Sequence, residues 1–375
     1  MPPTPLKIGM IAPPWLPVPP VAYGGTELMV DALCRALERA GHEVTLFTIG
    51  SSSCPVPRRW LFEEMDPDRM GAAVEELRHA LAAYESLLGV DIVHDHTLAG
   101  LFLGPRRSGV PIVTTMHGPF DHDLSDLYGR IAATVPIVAI SRDQARRAPP
   151  GLPVARVIHH GLELTRYPYS ERPDDQVLFL GRMSPDKGVE TAIEVARRAG
   201  RRLVIAAKMR EPCEIQYFRE VIEPMLGAGA EYVGEADFAT KVELLGKSAA
   251  LLNPIRWPEP FGLVMIESLA CGTPVVGGSH GAAGEIVRAG RTGWLADGTD
   301  GLVRGLEHLG ELDRADCRRE VVDHFTSDRM AADYVDLYRE VLAEKRRPDL
   351  RGAVRPAVTW DVRPMHGEGR RALSS

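Results

Sequence analysis

Residues 253–277, NPIRWPEPFGLVMIESLACGTPVVG, decide the fold. They read as the end of an apolar strand, a Pro-rich loop, a short helix that is apolar nearly all round, a stop at Gly272 and a second buried strand. Two carboxylates interrupt the apolar run, Glu259 in the loop and Glu267 in the helix. Burying an ionised carboxylate among Leu, Val, Met and Ile is costly unless something hydrogen-bonds it. Glu267 therefore calls for a partner, and a bound ligand is one candidate.

The same strand–helix alternation continues on both sides. Strands are expected at 177–181, 202–207, 231–233 and 249–253, with helices at 187–199, 214–226, 240–246 and 282–289. A Pro-, Arg- and Asp-rich linker, 165–175, separates this unit from an earlier one. There, a strand at Lys7–Ala12 leads through a Pro-rich loop and Gly24-Gly25 into an amphipathic helix that stops at Gly41, and a strand follows at Glu43–Thr48. A loop over 51–70, a helix over 71–88 and strands at 91–96, 111–115, 135–140 and 154–158 complete the unit. Ser141 is placed to cap a helix over 142–147. The fold class is α/β, with two Rossmann-like domains, 1–168 and 169–325, on either side of a cleft. Met330, Tyr334, Leu337, Tyr338 and Val341 give a helix over 326–344 one buried face, and the basic, Pro-containing stretch 345–375 reads as a disordered tail.

Composition narrows the function. The chain of 375 residues has a net charge of −7, and both halves are mildly acidic. That argues against a nucleic-acid binder and against a basic face for anionic bilayers, leaving at most a peripheral membrane contact through the tail. Five scattered cysteines with no CxxC spacing, no signal-like N-terminus and no long apolar run point to a cytoplasmic protein.

The chemistry-bearing residues cluster at strand exits. Arg182 and Lys187 flank a strand-to-helix turn, a fork and a point charge suited to a diphosphate. Phe261-Gly262-Leu263 opens a helix with free backbone N–H groups, and Gly24-Gly25 does the same without the GxGxxG spacing of a dinucleotide site. His94 and His96 share a strand face and His117-Gly118-Pro119 ends another strand. The two strand histidines are read as cleft-lining or structural groups, since no third metal ligand is spaced to join them. Cations for a diphosphate and carboxylates for sugar and ribose hydroxyls together suit a nucleotide sugar.

These residues resemble a known family. Glu259 and Glu267 with seven residues between them, the Gly181-Arg182…Lys187-Gly188 turn and His117-Gly118 are similar to the motifs of retaining glycosyltransferases of family 4, relatives of glycogen and sucrose synthases. The likeness runs from about Lys7 to Leu342 and is most specific over 178–295. It implies the GT-B fold, an acceptor on the N-terminal domain, a donor on the C-terminal one and a last helix crossing back. By position it implies that Arg182 and Lys187 bind the donor diphosphate, Glu267 the ribose, and Glu259 the transferred sugar, with backbone at Phe261, Gly262 and Leu263 assisting. His117 would touch the sugar from the opposite domain, Gly25 the phosphates or acceptor, and Lys208 and 235–239 lie where the base is held.

The implied reaction moves a hexose from a UDP-glucose-like or GDP-mannose-like donor to a hydroxyl acceptor, small or soluble, with no cofactor and no metal. The DxD-like string Asp121-His122-Asp123 lies in the wrong domain for a donor-bound metal. The loop 18–27 is similar to a bacterial subgroup acting on small molecules. A nucleotide-sugar 2-epimerase of the same fold, recruiting His117, Glu259 and His94, is the alternative.

Overall fold

The computed structural model describes residues 4–345 apart from 108, 133 and 228. The tail expected to be disordered lies outside the described residues except for Lys345, which ends the last helix.

Two parallel sheets organise the chain. The first holds β1 (Lys7–Ile11), β2 (Glu43–Thr48), β3 (Arg58–Trp60), β4 (Ile92–Asp95), β5 (Ile112–Met116), β6 (Ile137–Ala139) and β7 (Val154–Val157). Their order across the sheet is β3-β2-β1-β4-β5-β6-β7. The second holds β8 (Gln176–Arg182), β9 (Arg202–Lys208), β10 (Ala230–Tyr232), β11 (Ala250–Asn253), β12 (Val275–Gly277) and β13 (Gly293–Leu295), in the order β10-β9-β8-β11-β12-β13. Each strand pair is parallel, and both sheets are covered by helices, so central strands such as β4 and β11 are buried along their whole length and begin as apolar runs that end in polar residues at the cleft side.

Each sheet reverses its winding once, between β1 and β4 in the first and between β8 and β11 in the second. The carboxyl ends of strands at such a reversal leave a crevice where ligands bind. The loops after β1, β4 and β5 and those after β8 and β11 therefore bring the site together.

The helix Ser327–Lys345 returns to the first sheet. Met330, Tyr334, Leu337 and Tyr338 are buried in the core formed by β1, β2 and the helix Gly25–Arg39. Tyr167, Val321 and Phe325 instead join the core of the second domain around the helix Leu263–Ala270.

Several local expectations change. The segment 51–70 is not only loop, since it supplies edge strand β3 and a 3-10 turn at Pro67–Arg69. The helix expected over 214–226 is α-helical only over Pro212–Tyr217, then widens to a π turn and tightens to a 3-10 turn. Pro224 has no N–H for the helical ladder, which accounts for the break. Helices at Gly100–Arg107, His122–Ile131, Thr299–Glu307 and Arg314–His324 were not expected. Asp121 caps the second of these through a bond from Leu124 N at 2.8 Å, so the DxD-like string is a helix start.

Candidate active site

Two loops from the second domain form the floor of the cleft. Gly188, with φ of 76°, ends the turn that carries Arg182 and Lys187, and a Cβ there would stand 2.2 Å from Pro254 O. Only glycine lets that turn lie against the loop that carries Glu259. Gly262, at φ 94°, caps the helix Leu263–Ala270 in a left-handed conformation and turns Glu259 back towards Lys187. The resulting contact, Lys187 Nζ donating to Glu259 Oε1 at 2.7 Å, joins two residues that the sequence assigns to different parts of a ligand. Their side chains are only 10% and 20% exposed, so the pair is little screened by solvent. Arg182 donates to Asp186 at 3.0 Å and lines the same cleft.

Glu267 has its partners within the chain. Tyr167 Oη donates to its Oε1 at 2.9 Å, and Lys241 Nζ pairs with the same oxygen. A phenol and an ammonium from other elements already answer the burial cost, so Glu267 does not depend on a ligand for a partner. Glu267 still borders the smaller of two adjoining cavities, about 130 Å³, together with Lys187, Lys208, Lys241 and Glu259. Asn253, at the exit of β11, lines that cavity too; it is 5% exposed and its Nδ2 has no hydrogen-bond partner. A buried donor left unmatched is costly, and this one lies where an anionic or hydroxylic ligand would sit.

The larger cavity, about 1070 Å³, spans both domains and is bordered by His117, Arg182, Lys187, Glu259, Phe261, Gly262 and Leu263. Gly25 borders both cavities; a Cβ on it would lie 3.2 Å from Leu263 Cδ1, so the first helix starts against the second domain. Phe261 is buried and packs edge-on to His160 at 5.0 Å. Tyr23 closes the cleft from the first domain: its N–H donates to Glu235 at 3.2 Å, and Lys208 Nζ lies 5.7 Å from its ring centre.

His117 is held from behind. Its Nε2 shares a hydrogen bond of 2.8 Å with His96 Nδ1, and its ring stacks on His160 at 5.4 Å. Burial holds the His117 imidazole down to about 4, and burial with neighbouring imidazoles also lowers His96 and His160. Gln144 fixes the loop by donating to the carbonyls of Met116 and Gly118 at 2.9 and 2.7 Å.

His94 is a different case from His96. It is wholly buried between Tyr338 Oη at 2.7 Å and Thr115 Oγ1 at 2.8 Å, and it belongs to the attachment of the last helix rather than to the cleft. Among the described residues no three His, Cys, Asp or Glu side chains group as a metal site would require.

Lys241, Tyr167, Asn253 and Gln144 escaped the sequence reading. Lys241, Tyr167 and Gln144 lie in no motif, and Asn253 opens the 253–277 stretch without a chemistry of its own to mark it; the traces were a Lys on the buried side of a helix and an Asn ending an apolar strand.

The chain matches the models of two glycosyltransferase families: residues 23–166 match "Glycosyltransferase Family 4" and residues 169–320 match "Glycosyl transferases group 1". The chain is a family 4-like glycosyltransferase of GT-B fold. This glycosyltransferase is 27% identical to the alpha-maltose-1-phosphate synthase of Mycolicibacterium smegmatis over 87% of its own length and 97% of that protein. It is 28% identical to the D-inositol 3-phosphate glycosyltransferase of Paenarthrobacter aurescens, over 85% and 94%. Among solved structures it resembles AviGT4, a glycosyltransferase involved in avilamycin A biosynthesis, at a TM-score of 0.70 and 28% identity, covering 90% of this chain and 98% of that one. The Anabaena protein HepE, solved with UDP and glucose, shares the fold at a TM-score of 0.73 and 15% identity, over 89% of this glycosyltransferase and 100% of that chain.

Proposed function

We propose that this glycosyltransferase transfers a hexose, with retention, from a UDP-glucose-like or GDP-mannose-like donor to a hydroxyl acceptor, in the cytoplasm and without a metal. The observation that carries the reading is the meeting, at one cavity, of Lys187, Glu259 and the unmatched Asn253 amide, with Arg182 at the adjoining one. Lys187 and Arg182 take the diphosphate, and Glu259 and Asn253 face the hexose hydroxyls and phosphate oxygens. Glu267, oriented by Tyr167 and Lys241, accepts from a ribose hydroxyl. His117, neutral near pH 7, can donate to or accept from a sugar hydroxyl through the nitrogen not engaged with His96.

The bond between the anomeric carbon and the phosphate oxygen breaks as the acceptor oxygen bonds to that carbon on the same face. The acceptor's proton passes to the departing phosphate oxygen. Negative charge grows on the diphosphate, where the two cations stand, and their charges take the place of a divalent ion. The known relatives' names support hexosyl transfer in general, and the UDP-bound neighbour supports a nucleotide donor.

A panel of nucleotide sugars read by thermal shift tests the donor: a true donor at 100 times its Kd adds about 2.7 kcal/mol of stability. Lys187→Ala should lower turnover by roughly 100-fold or more while the protein stays folded. Near wild-type turnover in that variant would refute the assignment. Incubation with donor alone separates transfer from epimerisation, since only an epimerase converts it.

A further inference from the structure

The larger cavity has walls of opposite character, and the contrast bears on the acceptor; the inference rests on the donor reading above. Its lysines and arginines, Arg182, Lys187, Lys208 and Arg210, all come from the second domain. Each is engaged with a carboxylate of that domain: Asp186, Glu259, Glu211 and Glu235. Among the described residues the first domain contributes no Lys or Arg to the lining. Its wall includes the apolar Trp15, Leu16 and Met70 and the polar Thr26, Glu27 and Asp68. The imidazoles of His117 and His160 on the same wall are kept neutral by burial.

Glu27 is the informative member. It sits in the first turn of the helix Gly25–Arg39, is 5% exposed and borders the cavity. Among the described residues no other side chain hydrogen-bonds it, and its own backbone N–H is its one recorded polar contact. Asp31, one turn on and also buried, is bonded at Oδ2 by Arg35 at 2.9 Å, while its Oδ1 has no partner among the described residues. The helix dipole favours a carboxylate at Glu27's position, and among the described residues no side chain takes up its remaining hydrogen-bonding capacity towards the cavity. Burial pushes the Glu27 carboxyl up to about 7, so at neutral pH it can both accept from and donate to a hydroxyl.

We propose that the acceptor is an uncharged polyhydroxyl compound, a sugar or polyol lacking phosphate and carboxylate, whose apolar face lies against Leu16 and Met70 while one hydroxyl hydrogen-bonds Glu27. A sugar ring offers both surfaces at once, C–H groups on one face and hydroxyls at its rim. A phosphorylated acceptor would instead meet Glu27 and Asp68 with like charge and find no cation of the first domain to answer it.

The test uses the full chain at a saturating concentration of the donor identified by thermal shift, with release of nucleoside diphosphate as readout. Matched acceptors are compared: glucose with glucose 1-phosphate, myo-inositol with myo-inositol 1-phosphate, and maltose with its 1-phosphate. Uncharged members should exceed their phosphorylated counterparts by tenfold or more in kcat/KM. Glu27→Gln should raise the acceptor KM while leaving the donor KM unchanged. Asp68→Lys, at an exposed position where folding is not at stake, should shift the preference towards the phosphorylated members. Preference for a phosphorylated member in any pair would overturn the proposal. So would a bound donor with no uncharged member accepted, or an Asp68→Lys variant with unchanged selectivity. If no nucleotide sugar shifts the melt at all, the donor reading and this one fall together, which separates the two failures.

Discussion

Glu259 and Lys187 meet at 2.7 Å in a pocket that shields them from solvent. If Lys187 serves the diphosphate, Glu259 competes with it for the same ammonium until the donor arrives. Glu259→Gln should therefore slow transfer yet tighten the binding of a free nucleoside diphosphate, by about tenfold if some 1.4 kcal/mol of pairing is released. Calorimetric titration checks this, and weaker binding in the variant would show that Glu259 assists the diphosphate directly. Both residues were legible in the sequence because each sits in a loop at a strand exit. Their mutual bond was not, because it depends on how Gly188 and Gly262 fold two loops distant in sequence against each other. Glu267 shows the reverse: its need for a partner could be read from its apolar neighbours, but Tyr167, 100 residues away, could not.

The exits of β4 and β5 show how an element carries function it does not display. His94 lies in β4 and His96 directly after it, with their rings 4.0 Å apart, yet one fastens the helix Ser327–Lys345 and the other braces His117. Removing the Tyr338 hydroxyl leaves His94 Nδ1 buried without a partner. Tyr338→Phe should cost about 1–3 kcal/mol in chemical denaturation and leave the donor KM unchanged. The buried imidazoles also make these elements sensitive to acid. His79, His94, His96, His117 and His160 all have folded values pushed below 6.5 by burial. As pH falls from 6.5 towards 4, the unfolded chain takes up protons that the folded one refuses, so stability is lost across that window. Glu27 and Asp95, raised by burial to about 7 and about 6, act oppositely: the stability they contribute is full at low pH and is lost as pH rises through those values. Burial lowers His42 and raises Glu214 in the same two ways, so six groups face three, and the melting temperature should fall between pH 6.5 and 4; a flat profile would contradict the burial of the histidines.

At the level of the whole molecule, the cleft works only if the two domains hold their relative positions. Glu285 of the second domain accepts the N–H groups of Arg142 and Asp143 at 2.9 and 2.7 Å, at the start of the helix Arg142–Arg146, and bonds His159 Nε2 at 2.8 Å. Burial alone would raise this carboxyl, but His159 and the two backbone N–H groups outweigh it and hold it below the usual range. Glu285→Ala removes three bonds between the domains at once. The radius of gyration in small-angle scattering should rise, and, if the proposed donor site is right, the donor KM should rise with it, because His117 and Glu259 border the cleft from opposite domains. Unchanged scattering would show that the interface is held elsewhere, for instance by the contacts of Gly25 and Tyr23 with the second domain.

Local chemistry was enough, from the sequence alone, to determine two α/β units, the loops at their strand exits and the charged residues those loops carry, because strand period, helix stops and Pro- and Gly-rich turns are short-range signals. Irregular helices such as 212–225 and the added helices at 100–107 and 314–324 were less legible, since their formation depends on packing as much as on pattern. The tertiary structure decided which charges are partnered. It set Lys187 on Glu259, Lys241 on Glu267 and Gln144 on the His117 loop, left Asn253 and Glu27 facing the cavities, and divided the cleft into a wall of cation–carboxylate pairs and a wall that, among the described residues, has no Lys or Arg. Such pairings join residues tens of positions apart, and only the packing of loops and helices within each domain brings their side chains within hydrogen-bond reach.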